Sequence, residues 1–262
     1  MEYPASVILS WMANYFWPFT RISSMMMAMT FFGARFVPTR IRLYLSLAIT
    51  FAVMPALPAV PERIELVSFA GFLVLAQQVV IGVAMGLVTQ FITQTFVVLG
   101  QILGMQSSLG FASMVDPANG QNTPLLGQFY LFLAVMLFLA TDGHLKMLNL
   151  VVMSFETLPI GEMIGAADYR SLAQWFGIMF QVALSMSLAG VIALLVVNLS
   201  FGVMTRAAPQ LNIFSLGFAF ALLMGMLISW YLLAGMLTHY NNHWQTGLNQ
   251  ICDLIRLNCE FN

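Results

Sequence analysis

The sequence predicts an all-α membrane protein built from long helices and helical hairpins. Of its 262 residues, 60% are hydrophobic and only 7% are charged, and the mean hydropathy is +0.89. A soluble domain carries about 25% charged residues. Apolar runs of membrane-crossing length also recur along the chain, separated by short turns. A net charge of −1 without a basic patch argues against a nucleic-acid partner.

The first hydrophobic run covers roughly Ser6–Phe32 and carries Asn14, Pro18 and Arg21 inside it. No Lys or Arg precedes Arg21, so the run does not read as an ordinary signal peptide and is expected to be retained. Arg21 facing lipid would be costly, so it should pair with a carboxylate or, as the alternative, bind substrate. Met25, Met26 and Met27 belong to the densest methionine cluster. They read either as adaptable packing or as a soft constriction round variable cargo. A basic turn follows with Arg35, Arg40 and Arg42, which would lie in the cytoplasm and leave the N-terminus outside. The second run, Leu43–Val60, is closed by Pro55, Pro58 and Pro61, and Glu62, Arg63 and Glu65 form the next connection.

Leu66–Met105 is uninterrupted by charge. A helix of that length is about 60 Å long, twice a bilayer core of about 30 Å. It must kink, double back, or stand out of the membrane inside a larger body. Gln90, Gln94 and Gln101 fall within about 40° of one another on a helical wheel, flanked by Thr93, Gly86 and Gly104. Gly82 and Gly100 share one direction at the edge of that face. Gly82–Gly86 and Gly100–Gly104 are small-xxx-small pairs that let backbones approach closely. The face reads as helix packing with polar glue or as a hydrated pore wall, and both place it against protein or water.

Gly104–Pro124 is the longest polar, turn-rich passage, with Asp116-Pro117 and Asn119-Gly120 as turn dipeptides. Irregular backbone in lipid is tolerated only where protein buries it or where it lines a watery cavity. Phe111 and Met114 sit there among small residues. Either the loop is a packed connection, or its apolar residues seal a pore.

Leu125–Thr141 is nearly pure hydrocarbon, and Asp142-Gly143-His144 follows. Met147–Leu158 is too short to span and reads as a half-helix or a continuation. After a hydrophilic connection with Glu156, Glu162, Asp168 and Arg170, the runs Ser171–Thr205 and Leu211–Tyr240 form a final pair. Pro209 and Asn212 mark the turn between them. The tail from His243 reads as a modest amphipathic end.

The chemistry of an enzyme is missing from the motifs. The single lysine, Lys146, is in no phosphate loop, and no GxSxG elbow occurs. His239 and His243 stand four apart, but HYNNH lacks a glutamate base and a third ligand. They read as an interfacial pair at a helix end. Cys252 and Cys259, seven residues apart, are too distant for a disulfide within one helix and read as free thiols. No cofactor and no metal is expected.

Several passages carry a specific resemblance. Gly110-Phe111-Ala112-Ser113-Met114-Val115-Asp116-Pro117, with Leu137-Phe138-Leu139, Asp142-Gly143-His144 and Ser154-Phe155, resembles the centre of the FliR family of flagellar export-apparatus proteins. Ala208-Pro209-Gln210-Leu211-Asn212-Ile213-Phe214 resembles that family's C-terminal signature, and Val37-Pro38-Thr39-Arg40 its early basic turn. The likeness covers nearly the whole chain. It departs at Ala219-Phe220-Ala221, where the family often carries proline and lysine. Virulence type III secretion systems use homologues, and the flagellar version is the nearer match.

The resemblance implies a non-enzymatic, pore-forming subunit of the core export gate in the bacterial inner membrane, at the flagellar basal body. It would assemble with FliP, FliQ and FlhB and pass unfolded flagellar substrates. It implies a FliP-like N-terminal part, 1–170, with the loop 104–124 as plug, and a FliQ-like hairpin with amphipathic tail, 171–262. Gly110 to Asp116 would form the plug. Gly82, Gly86, Gln90, Gln94, Gly100, Gln101 and Gly104 would pack on neighbouring subunits. Pro209, Gln210, Asn212 and Phe214 make either a plain hairpin turn or, on the resemblance, a contact for FlhB. The alternative is a free-standing secondary transporter for a small solute, which would need midplane charges and repeated halves. Arg21 is the one candidate charge, and no repeat is visible.

Overall fold

Residues 5–34, 37–58, 68–110, 124–207 and 213–259 are described by a computed structural model. Among them every regular element is helical. Helix α1 spans Ala5–Ala28 and tolerates Pro18 inside it. The Thr20 hydroxyl donates to the carbonyl of Trp17, within the turn that proline interrupts, at 2.8 Å. The chain leaves α1 through a turn in which Gly33 N–H donates to Met29 O at 2.7 Å. A side chain on Gly33 would strike the Met27 and Met29 carbonyls. Helix α2, Thr39–Val53, starts after Pro38, whose carbonyl accepts from the Ile41 and Arg42 amides. The Arg42 guanidinium donates to the Val37 and Ala34 carbonyls, so this arginine ties the basic turn to the helix. Pro55 ends α2 in a single 3-10 turn, Met54–Ala56, because proline has no amide to continue the ladder.

Helix α3, Phe69–Gln106, is one unbroken α-helix of 38 residues. Its length, about 57 Å, answers the question the sequence left open. Ser68 caps it, accepting from the Gly71 amide at 3.0 Å. At the far end the Ser107 amide donates to Leu103 O and Ser108 turns left-handed at φ 65°, the usual exit from a helix.

Helix α4, Leu125–Ala140, and helix α5, Gly143–Thr157, are bent from one another by 62°. The break sits at Asp142, left-handed at φ 55°; a short polar side chain is among the few that tolerate this conformation. Met147–Leu158 is therefore the body of a short helix that follows a bend. Pro159 and Gly161 (φ 102°) make the next turn.

Helices α6, Ala166–Ala207, and α7, Ile213–Leu254, are 42 residues each. Asp168 reaches back to the Gly165 amide at 2.7 Å and caps α6. The two helices run antiparallel. Ser171 meets Gln250 in a hydrogen bond, Gly190 faces Ile228 and Leu232, and Phe201 packs on Phe220 at 5.3 Å. Residue numbers rise along one helix as they fall along the other. The expected boundary near Tyr240 is corrected: His239 to Gln245, polar enough to look like an end, lies inside the helix, which continues to Leu254. Among the described residues three helices, α3, α6 and α7, are long and apolar enough to cross a membrane, and α4 with α5 makes a fourth candidate if the bent pair is one span.

Packing divides the described residues into two compact units, within 1–91, 138–175 and 245–262, and within 92–137 and 176–244. In the first, α1 packs on α2 and α5, and Trp17, Ile22, Met85 and Phe155 are buried. Leu248, Ile251 and Ile255 of α7 are buried there as well. In the second, Phe96, Tyr130, Tyr240 and Trp244 are fully or almost fully buried, and Tyr240 stacks on Trp244.

The cysteine expectation is also corrected. Cys252 and Cys259 form a disulfide, with Cα atoms 5.9 Å apart. The helix stops at Leu254, Arg256 turns left-handed at φ 57°, and the Leu257 amide donates back to Cys252 O at 2.9 Å. Rise along a helix axis does not apply across that turn.

Candidate functional site

Arg21 is fully buried in the first unit and bonded through all three guanidinium nitrogens. Nε donates to Gln78 Oε1 on α3 at 2.7 Å. Nη1 donates to the carbonyl and the hydroxyl of Ser154, at 2.9 and 3.1 Å, and Nη2 to Leu158 O at 2.9 Å. The Phe155 ring lies 4.3 Å from the guanidinium carbon, a cation–π distance. The expected carboxylate is not the partner. The arginine instead binds the C-terminal end of α5, sharing Ser154 O with the Leu158 amide and taking Leu158 O just past the helix, where the dipole favours a cation. Sequence could not display this, because two of the acceptors are backbone carbonyls and the other two are neutral side chains far along the chain.

The same stretch of α1 carries the methionine cluster. Met25 and Met26 are fully buried, while Met27 is 52% exposed. The backbone of this stretch of α1 lies close against the glycines of α3. At Gly82 an added Cβ would strike Ser24 Oγ and the Arg21 carbonyl, and at Gly86 it would lie 2.7 Å from Met25 O. Only glycine lets the two backbones come this close. The Thr30 hydroxyl and Thr89 Oγ1 meet one turn further on, at 3.3 Å.

In the second unit, a Cβ at Gly100 would meet Leu126 O of α4 at 2.6 Å, whereas Gly104 has ordinary room, its nearest neighbour Leu126 Cβ at 3.9 Å. The close approach expected of these small-residue pairs thus occurs at Gly82, Gly86 and Gly100, against helices of this same chain. Gln90 and Gln94 are half-buried and Gln101 is exposed, while Val88, Ile92, Leu99 and Leu103 on the other face are buried.

Two contacts in this unit escaped the sequence reading. The His243 Nε2 lies 3.0 Å from Thr95 Oγ1, both buried. The Tyr130 hydroxyl donates to Ser229 O at 3.2 Å, joining α4 to α7. His239 is exposed whereas His243 is buried, so the two are not an interfacial pair. Helical spacing around Tyr240 and Trp244 could have flagged the buried face. No group of three His, Cys, Asp or Glu among the described residues is placed to hold a metal.

Of the segment expected to act as a plug, 110–116, only Gly110 is among the described residues. Phe111, Ala112, Ser113, Met114, Val115 and Asp116 lie outside the described residues. So do Pro209, Gln210 and Asn212, while Phe214 falls in the first turn of α7.

The architecture defines an all-α membrane protein of long, closely packed helices, held together by a buried arginine and by backbone approaches at glycine. The chain belongs to the bacterial export proteins, family 1, whose profile matches residues 12–247. It is similar to the flagellar biosynthetic protein FliR of Escherichia coli (strain K12), with 38% identity over 219 residues, 83% of each chain. Identity to the FliR of Pectobacterium carotovorum subsp. carotovorum is 36%, over 84% of each chain. That of Bacillus subtilis (strain 168) is 27% identical, over 76% of this chain and 78% of its own. The resemblance read from the sequence is borne out. The family is one of export proteins, and the chain is a component of the flagellar export apparatus.

Proposed function

We propose that the chain is a structural, pore-forming subunit of the core export gate of the flagellar type III secretion system, passing unfolded flagellar proteins across the inner membrane. Its place in the inner membrane at the flagellar basal body is supported by the FliR relatives and by helices able to cross a bilayer. The observation that carries the gate reading is the exposed side of α6. Large apolar residues stay exposed from Phe176 through Leu188, Val196 and Leu199 to Val203. That stretch is about 40 Å long, more than a bilayer core of about 30 Å covers. On α7, Trp230 and Tyr231 are 77% and 79% exposed. Apolar surface of this extent calls for protein partners beside lipid.

On this reading FliP and FliQ cover those faces, the N-terminal part is FliP-like, and the α6–α7 hairpin is FliQ-like. The segment 110–116 is the plug, Met25, Met26 and Met27 lie near the constriction, and Pro209 to Phe214 contacts FlhB. A free-standing solute transporter is not favoured: the named relatives are flagellar biosynthetic proteins, and the buried arginine is taken up by helix packing. The test is a photoreactive residue at Phe111 in cells exporting a stalled substrate. Cross-links to the substrate are expected. Cross-links only to this chain and its neighbours would contradict the pore assignment.

A further inference from the structure

The disulfide at the end of α7 carries information about which side of the membrane that end occupies. Disulfides persist in oxidising compartments and are rare in the cytosol. Here the pairing is built into the backbone: Arg256 is left-handed, its amide donates to Asp253 O at 3.2 Å, and the Leu257 amide returns to Cys252 O. Cys252 is buried beside Ile251 and Ile255. Arg256 Nη1 also lies 3.6 Å from Glu162 Oε2, in the turn that precedes α6. Ser171 and Gln250 join the same ends of the two helices.

We propose that Cys252–Cys259 is a disulfide clasp formed on the outer, oxidising face of the inner membrane, and that it orients the α6–α7 pair. Helix α7 is long and apolar enough to cross a membrane, and crossing it puts its two ends on opposite sides. With Leu254 outside, the Ile213 end of α7 faces the cytoplasm and residues 158–165 face outward. Basic residues do not set this orientation, since Arg206 stands at one end and Arg170 with Arg256 at the other. The bond forms by exchange with the disulfide of a thiol oxidoreductase. One cysteine thiolate attacks that disulfide, and the second cysteine displaces the enzyme from the mixed intermediate. The two cysteines lose two electrons and two protons, and the oxidoreductase leaves as a dithiol.

The test uses the whole assembly in native membranes. Cells are quenched in acid, denatured and treated with a polyethylene-glycol maleimide, which adds a visible mass per free thiol. No adduct is expected before reduction and two after it. Two adducts without reduction, or a non-reducing band of two linked chains, would overturn the clasp. For orientation, Asn258→Cys and Gln210→Cys are each placed in a Cys252→Ser, Cys259→Ser chain and probed with a membrane-impermeant maleimide. Cysteine at 258 is expected to label in intact spheroplasts and cysteine at 210 only after lysis. The reverse order would overturn the orientation while leaving the export reading standing.

Discussion

The guanidinium of Arg21 donates through Nη2 to the carbonyl oxygen of Leu158 at 2.9 Å, so an arginine on α1 closes the end of α5. The same group reaches α3 through Gln78. Three helices meet on one side chain, and its fork geometry is what lets it serve them all.

Lysine offers a single nitrogen in place of that fork. Arg21→Lys should therefore lose at least one bond to a charged donor and leave buried acceptors unmet, costing roughly 2–4 kcal/mol. Thermal unfolding of the purified assembly in detergent checks this. A lysine variant as stable as its parent would mean that the buried network contributes little.

The glycines of α3 should not behave alike. Gly82→Ala puts a methyl group onto Ser24 Oγ and the Arg21 carbonyl, an overpacking that costs about 1–3 kcal/mol. Gly104→Ala meets nothing closer than 3.9 Å and gains helix propensity of about 1 kcal/mol. Stability of the two variants should fall on opposite sides of the parent. Equal losses would contradict the packing described for Gly82.

Thr95 and His243 should be energetically coupled, since their side-chain atoms meet at 3.0 Å in a buried place. In a double-mutant cycle with Thr95→Val and His243→Ala, a coupling of about 0.5–1.5 kcal/mol is expected. Strict additivity would show that the contact adds nothing of its own.

Such contrasts mark where sequence reading stops. That α3 is long and apolar was legible from fifty residues without charge, whereas its running unbroken was not; Pro38, Pro55 and Pro159 set turns where proline must. The continuation of α7 through His239 and Gln245 was not, since polar side chains on a helix resemble a helix end until burial is known. The cysteine pairing was hidden by a left-handed arginine, a conformation that no residue type announces. Arg21 was flagged as needing a partner, but carbonyls leave no mark in a sequence.

Deleting Gly110–Met114 is expected to let small ions leak across the inner membrane while the assembly still forms. A hydrophobic seal excludes ions by dewetting, and its removal should raise conductance without disturbing the helices around it. Growth and membrane potential report the leak, and a native gel reports assembly. Normal assembly with no leak would remove the plug assignment.

The central claim is that this chain works as one subunit of a larger gate, and the mass of the detergent-extracted particle tests it most directly. The chain alone is 29.0 kDa. Native mass spectrometry after gentle extraction from cells is predicted to find it in a particle several times heavier, with FliP and FliQ in the same species. A particle holding this chain alone, under conditions where other membrane complexes survive extraction, would contradict the account.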